Sequence, residues 1–145
     1  MLHTLMLLCA LTYGLKAFLF NNVEFCSTGD VSVSTNRSAV IQTIPAYPDN
    51  YPKNLDCTWL ITAEDGAYTI LRIRFFVLAT YADYLSIGYG HNVTDDNTVV
   101  IRLTGVVPPN SVILNATTAW MQLTTPYGLW WGFVIEVDVN ASKGQ

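Results

Sequence analysis

Residues 44–61 read IPAYPDNYPKNLDCTWLI, and this stretch decides the expected fold. Its two Tyr-Pro pairs end at Pro48 and Pro52, and because proline restricts φ they stiffen an extended segment. In the strand that should follow, Cys57, Trp59 and Ile61 take alternate positions. Side chains alternate across a strand, so these three point to one face, which we expect to lie in the core.

Short runs rich in Val, Ile, Thr, Tyr and Trp lie on both sides of this stretch, separated by turns rich in Pro, Gly, Asn and Asp. In residues 71–75 we expect Leu71, Ile73 and Phe75 to face inward, and in residues 133–139 the apolar residues alternate with acids. Such spacing predicts an all-β sandwich or barrel. The predicted strands span residues 31–34, 39–44, 58–62, 71–75, 84–89, 98–103, 111–114, 120–123 and 133–139.

The amino-terminal segment is expected to be a cleaved signal peptide, residues 1–17. Its apolar run, LMLLCAL at residues 5–11, is too short to span a bilayer but has the length of a secretory core. The alternatives are a buried helix or an uncleaved anchor, and Gly14 and Lys16 argue against both by ending the run early. Residues 18–25 would then form an extension, 26–139 the domain and 140–145 a tail.

The charge balance argues against one class of binding partner. Losing Lys16 leaves six basic residues against eleven acidic ones, a net charge of −5, with no basic run. Phosphate backbones need clustered Lys and Arg, so we expect no nucleic-acid partner. No further apolar segment is long enough to insert into a membrane, so a secreted, extracellular protein is expected.

Four Asn-X-Ser/Thr sequons support secretion, since each would be an N-glycan acceptor on the surface. They begin at Asn36, Asn92, Asn115 and Asn140.

Residues 44–61 resemble a CUB domain, which carries two Tyr-Pro pairs, then four residues and a Cys, and then Trp and Ile at alternate positions. Residues 83–87 resemble the family's Tyr-Asp-x-Leu-x-Ile strand, and Gly132-Phe133 its closing strand. The resemblance covers roughly residues 26–139. It implies an antiparallel, jelly-roll type β-sandwich.

The family's cysteines and calcium ligands are only partly present. The resemblance implies a disulfide between Cys26 and Cys57; Thr80 or Tyr81, and Thr104, stand where the second pair would be. Of the acids that bind calcium in many CUB domains, only Asp83 remains. Calcium needs six or more oxygen ligands, so we expect no metal site and no cofactor.

No catalytic constellation is evident. After cleavage the single histidine, His91, lies in a turn beside a sequon, and we expect it to be an exposed loop residue. Asp95 and Asp96 are expected to be a solvated loop tip. No phosphate-binding loop, zinc spacing or acid pair is indicated, so the protein is expected not to be an enzyme.

The aromatic residues before the last strand are the candidate ligand-binding residues, namely Tyr127, Trp130 and Trp131. Neighbouring residues of a strand point to opposite faces, so the two tryptophans cannot both lie in the core. They form either a binding platform or a lid that closes the sandwich. Tyr81 and Tyr84, which flank Asp83, form a second candidate cluster with the same two alternatives.

The resemblance therefore predicts a secreted protein- or carbohydrate-binding module. The alternatives are a glycosidase-like hydrolase on a β-sandwich, and an accessory or decoy partner of an extracellular protease or receptor.

Overall fold

The computed structural model describes residues 29–43 and 48–140, and in them all nine predicted segments form strands. A three-residue 3-10 helix, Asp96–Thr98, precedes β6, and no helix in the described ranges has the length and apolarity of a bilayer-spanning one. The strands are β1 (Gly29–Val33), β2 (Ala39–Gln42), β3 (Asp56–Ala63), β4 (Tyr68–Val77), β5 (Tyr84–Tyr89), β6 (Val99–Leu103), β7 (Ser111–Leu114), β8 (Thr118–Thr124) and β9 (Gly132–Asn140).

The strands form two stacked sheets, so the predicted β-sandwich is confirmed. One sheet has the order β1-β3-β8-β5-β6 and the other β2-β9-β4-β7. Every pair is antiparallel except the edge strand β1, which runs parallel to β3 with Gly29 opposite Trp59.

The core lies between the sheets and contains the alternating residues of β3. Cys57, Trp59 and Ile61 are all buried, as predicted. Trp59 meets Phe133 of the opposite sheet edge-on, with ring centroids 5.9 Å apart, a favourable aromatic arrangement. The motif in residues 44–61 therefore reaches across to the last strand and joins the two sheets.

One inward-facing residue was predicted wrongly. The β4–β9 register shifts between Ile73 and Phe75, so the alternation is interrupted at Arg74. Phe76 is consequently buried and stacks on Phe133 at 6.3 Å, whereas Phe75 is only half-buried. A β-bulge of this kind leaves no clear mark in a run of alternating residues.

Chain direction sorts the connections into two groups. The odd-numbered strands run towards one end of the sandwich and the even-numbered strands run back. One end therefore carries the loops 48–55, 78–83, 104–110 and 125–131. The opposite end carries residues 34–38, 64–67, 90–98 and 115–117, together with the end of β9 at Asn140.

Candidate functional site: an apolar loop end

Exposed apolar side chains are concentrated on three neighbouring loops, 78–83, 104–110 and 125–131. The one charged residue of these loops is Asp83, which is fully buried. We call this surface the aromatic end; its exposed members are Tyr81, Val106, Val107, Tyr127, Leu129, Trp130 and Trp131.

The Asp83 carboxylate fixes the shape of this end. Its Oδ1 accepts a hydrogen bond from the backbone N–H of Tyr127 at 2.9 Å. Its Oδ2 accepts from the backbone N–H of Gly128 at 2.9 Å and from the Tyr51 hydroxyl at 2.7 Å. Hydrogen bonds to an ionised group are stronger than neutral ones. A single side chain therefore joins the start of β5 to the β8–β9 loop and to the segment before β3.

Tyr51 is a dedicated donor to this carboxylate. Burial raises the pKa of its hydroxyl above the ordinary value, and the hydrogen bond to Asp83 raises it further. The same oxygen accepts the Ala79 N–H at 3.2 Å. Tyr51 thus stays protonated throughout the physiological range and links Asp83 to the β4–β5 loop.

Backbone hydrogen bonds join the β8–β9 loop to residues 51–55, and we call this connection the backbone strap. Leu129 N donates to Tyr51 O at 2.8 Å, and Tyr51 N donates to Trp130 O at 2.9 Å. Gly128 lies in the left-handed region with φ of 71°, and a Cβ there would lie 2.4 Å from the Lys53 backbone. The aromatic loop is therefore held from both sides.

Thr104 joins the segments in which the CUB resemblance places the missing second disulfide. Its hydroxyl lies 2.7 Å from Asp83 O and 3.1 Å from Ala79 O, and it accepts the Tyr81 N–H at 3.0 Å. A polar side chain thus connects the β4–β5 loop to β6.

Two cavities open at the aromatic end, and Trp130 lines both. One, of about 300 Å³, is also lined by Asn50, Val77, Leu129 and Trp131. The other, of about 230 Å³, is also lined by Ala79, Thr80, Ala82 and Tyr127. Trp130 and Trp131 are 40% and 45% exposed, so each side chain is partly buried and partly open to solvent.

The structure brings together most of the predicted ligand-binding residues. Tyr81 joins Tyr127, Trp130 and Trp131 at the aromatic end, but Tyr84 does not. Tyr84 begins β5 and lies on the outer face of the five-stranded sheet, where it lines another cavity. Tyr81 and Tyr84 therefore lie on different surfaces, and their role in ligand binding stays a prediction.

Three further members of the surface were not predicted: Val106, Val107 and Leu129. The valines precede Pro108-Pro109 and are apolar residues in a turn, a signal that could have been noticed. Leu129 is exposed at a positive φ of 66°, which nothing in the sequence indicates.

The remaining candidates lie elsewhere. His91 is exposed and its Nε2 lies 3.1 Å from Ile61 O. Asp95 caps the 3-10 helix, and Asp96 forms an ion pair with Arg102. Cys57 is in the core, while Cys26 and the signal peptide lie outside the described residues, so the disulfide and the cleavage stay predictions.

The residues around Asp83 do not fit a calcium site of the kind found in many CUB domains. Its two oxygens already accept three hydrogen bonds, and calcium needs several carboxylates for useful affinity. Residues 29–43 and 48–140 contain no group of three or more His, Cys, Asp or Glu side chains placed to hold a metal. Asp83 holds the loops together instead.

Comparison with known proteins agrees with this architecture. The family model of the CUB domain matches residues 26–131. The chain is 31% identical to mouse (Mus musculus) Tolloid-like protein 2 over 85 residues, which cover 56% of this chain and 8% of that protein. It is 27% identical to pig (Sus scrofa) cubilin over 107 residues, which cover 70% of this chain and 3% of that protein. The chain therefore spans less than a tenth of the length of these relatives.

Solved structures show the same fold. The CUB1-EGF-CUB2 domain of human MASP-1/3 superposes with a TM-score of 0.66 at 19% identity, covering 79% of this chain and 42% of that one. The MASP-1 CUB2 domain bound to Ca²⁺ superposes with a TM-score of 0.60 at 20% identity, covering 74% and 96%. With the β-sandwich and the matched residues 26–131, these findings show that the chain belongs to the CUB domain family.

Proposed function

We propose that this protein is a secreted, non-catalytic binding module that docks an extracellular partner protein through its aromatic end. CUB domains are protein-binding modules of extracellular proteins and are generally non-catalytic. The observation that carries the proposal is the collection of seven exposed apolar side chains on three loops whose one charged residue is buried. Contiguous apolar surface of this kind is typical of interaction sites.

The chemistry of these side chains suits a protein partner. Trp and Tyr are enriched among the residues that dominate binding energy, especially where they border pockets. Trp130 borders two cavities, and Tyr127 and Trp131 flank it in the same loop. A partner could therefore place its own apolar side chains beside Trp130.

The aromatic end is also held in shape before any partner arrives. Asp83, Tyr51 and the backbone bonds of Leu129 and Trp130 restrain the loop that carries the tryptophans. A surface that is already ordered loses less conformational entropy on binding. This restraint favours a binding platform over a lid that serves packing alone.

The positions of the sequons also support docking through the aromatic end. Asn36, Asn92, Asn115 and Asn140 are all exposed and all lie at the opposite end of the sandwich, which we call the sequon end. Glycans attached there would leave the aromatic end uncovered. Glycosylation, cleavage of residues 1–17 and the Cys26–Cys57 disulfide belong to this proposal.

These processing steps are tested on protein secreted from animal cells. Amino-terminal sequencing should begin after residue 17, and treatment with an N-glycosidase should lower the mass. The intact mass after deglycosylation should rise on reduction by the mass of two hydrogen atoms, because each sulfur of one disulfide takes up one hydrogen. An intact leader or two free thiols would contradict this part of the proposal.

A hydrolase is the weaker alternative. Glycoside hydrolysis needs two carboxyl groups that face one substrate. No acid lines either cavity of the aromatic end, and the buried Asp83 is occupied by three donors. A role as accessory or decoy partner of a protease or receptor would use the same docking surface.

The experiment is a binding screen of the secreted protein against an array of extracellular proteins, followed by affinity measurements on substituted proteins. Trp130→Ala should weaken binding by about 2 kcal/mol, roughly thirtyfold, and Leu129→Ala should weaken it less. Ile113→Ala is the matched control, because Ile113 is 63% exposed on β7 and Leu129 is 64% exposed. Equal losses for Leu129→Ala and Ile113→Ala, or none for Trp130→Ala, would refute docking at the aromatic end.

A further inference from the structure

A polar cavity lies on the outer face of the five-stranded sheet, apart from the aromatic end. In β5, Leu85 and Ile87 are buried in the core, so Tyr84 and Ser86 point outward. The sheet register places Ser86 between Gln122 and Arg102, and Tyr84 opposite Thr124. The cavity has a volume of about 410 Å³ and is lined by Tyr84, Ser86, Arg102, Gln122 and Thr124.

Small residues of β5 create this cavity. Ser86 is the shortest side chain of its row, so the longer Gln122 and Arg102 on either side rise above it. At Gly88, the next outward position, the Trp120 ring takes the space, and a Cβ would lie 2.3 Å from it. Trp120 is held there because its Nε1 donates to Thr98 Oγ1 at 3.1 Å.

The lining offers several hydrogen-bonding groups that the described part of the chain does not use. No bond from the hydroxyls of Tyr84, Ser86 or Thr124 to another described side chain or backbone group is present. Gln122 donates a hydrogen bond from its amide nitrogen to Asp56 at 2.9 Å, and its amide oxygen accepts none from another described residue. Arg102 reaches Asp96 with one nitrogen at 3.3 Å.

The surroundings exclude several kinds of ligand. A peptide could not add as a strand, because β5 is already paired with β8 on one side and β6 on the other. A polyanion is disfavoured, because Arg102 is the one cation in the lining and Asp56 and Asp96 lie beside it. The polar lining is also unsuited to a lipid or another apolar ligand.

We propose that this cavity binds a neutral saccharide. Sugar hydroxyls both donate and accept hydrogen bonds, and the lining supplies hydroxyls, an amide oxygen and a guanidinium within one concave surface. Tyr84 adds an aromatic ring to the same lining, and the volume lies within the range of small-molecule sites. The site is independent of protein docking at the aromatic end, so either proposal can fail alone.

The test is an array of immobilised neutral glycans that end in galactose, mannose or N-acetylglucosamine, with sialylated and sulfated glycans included. The full secreted protein should bind neutral glycans. Arg102→Ala should weaken this binding about tenfold, as expected for loss of a charge-assisted hydrogen bond. Ser86→Phe should abolish it by filling the cavity. Arg74→Ala is the matched control, because Arg74 is also exposed and ion-paired but lies on β4 of the other sheet.

Four outcomes would overturn the proposal. They are no binding to neutral glycans, binding to sialylated or sulfated glycans alone, an equal loss for Arg74→Ala and Arg102→Ala, and loss for Trp130→Ala with none for Arg102→Ala. The last would move saccharide binding to the aromatic end. Unchanged melting curves for Arg102→Ala would show that its loss of binding is not a loss of fold.

Discussion

The loops of the aromatic end and those of the sequon end differ in charge and surface chemistry. The fourth loop beside the aromatic end, residues 48–55, exposes Asp49 and Lys53 and is not part of that surface. The loops 78–83, 104–110 and 125–131 of the aromatic end expose Trp, Tyr, Leu and Val and bury their one charge. The sequon end exposes charged residues, including Arg37, Asp65 and Asp96, and all four sequons. The difference follows from chain direction: every second connection of an alternating fold falls at the same end. One end can thus be specialised for contact and the other for solvent.

Residues with a strained backbone conformation are also distributed unequally between the two ends. Within the described residues, the non-glycine residues with positive φ are Asn54, Tyr81 and Leu129. Tyr81 and Leu129 belong to the aromatic end, and Asn54 lies in the neighbouring loop 48–55. Each such residue costs free energy that surrounding contacts must offset, and strained residues cluster at functional sites. The contacts that offset it here converge on Asp83 and on the strap between residues 51–55 and the β8–β9 loop.

Asp83→Ala is expected to have the largest effect, because it removes the acceptor of three buried donors. We expect a loss of about 4 kcal/mol in the free energy of unfolding, since each bond to the carboxylate contributes on the order of 1.5 kcal/mol. Asp83→Asn keeps one oxygen acceptor and should lose about half as much. Urea unfolding of the secreted proteins measures both. A loss below about 1 kcal/mol for Asp83→Ala would show that this carboxylate does not restrain the aromatic end.

The sequence predicted the strands well because their signal is local. Alternation in β3 and β9 could be recognised from adjacent residues, and the bulge at Arg74 was missed because it depends on the pairing of β4 with β9. The role of Asp83 could not be predicted, because its donors Tyr127 and Gly128 are more than 40 positions away in the chain. The sequons could be found in the sequence, but their shared end required the strand order.

Alanine substitutions at one glycine of each end compare the two ends directly. Gly66 at the sequon end and Gly128 at the aromatic end have φ of 75° and 71°, so alanine should cost each about 1 kcal/mol in backbone strain. A Cβ at Gly66 meets nothing within 4 Å, whereas at Gly128 it would collide with the Lys53 backbone. We expect Gly128→Ala to lose about 3 kcal/mol in all, and thermal unfolding of the two proteins measures the difference. Equal melting temperatures would argue against a tight strap.

Thr104→Val tests the link that stands where the second disulfide would be. The substitution keeps the shape but leaves the Tyr81 N–H without its acceptor, and we expect a loss of about 1–2 kcal/mol. Thr62→Val on β3 is the control, because Thr62 is exposed and a β-branched replacement suits a strand. Chemical denaturation of both proteins should separate them. The same small change for both would mean that Thr104 contributes no more than a surface threonine.

Alkaline pH should weaken the aromatic end through Tyr51, with the smallest effect of the series. Its pKa is raised in the folded protein, so its contribution is present below pH of about 10, where the unfolded tyrosine is also protonated. Above that pH the unfolded chain loses the Tyr51 proton and the folded one keeps it, so stability falls by up to about 1.4 kcal/mol per pH unit. Tyr51→Phe should be less stable at pH 7 but should lose less on going from pH 9 to pH 11. If the free energy of unfolding fell equally with pH in the two proteins, the pKa of Tyr51 would not be raised by folding, contrary to its burial and its hydrogen bond to Asp83. The aromatic end would then depend on the backbone strap more than on the carboxylate.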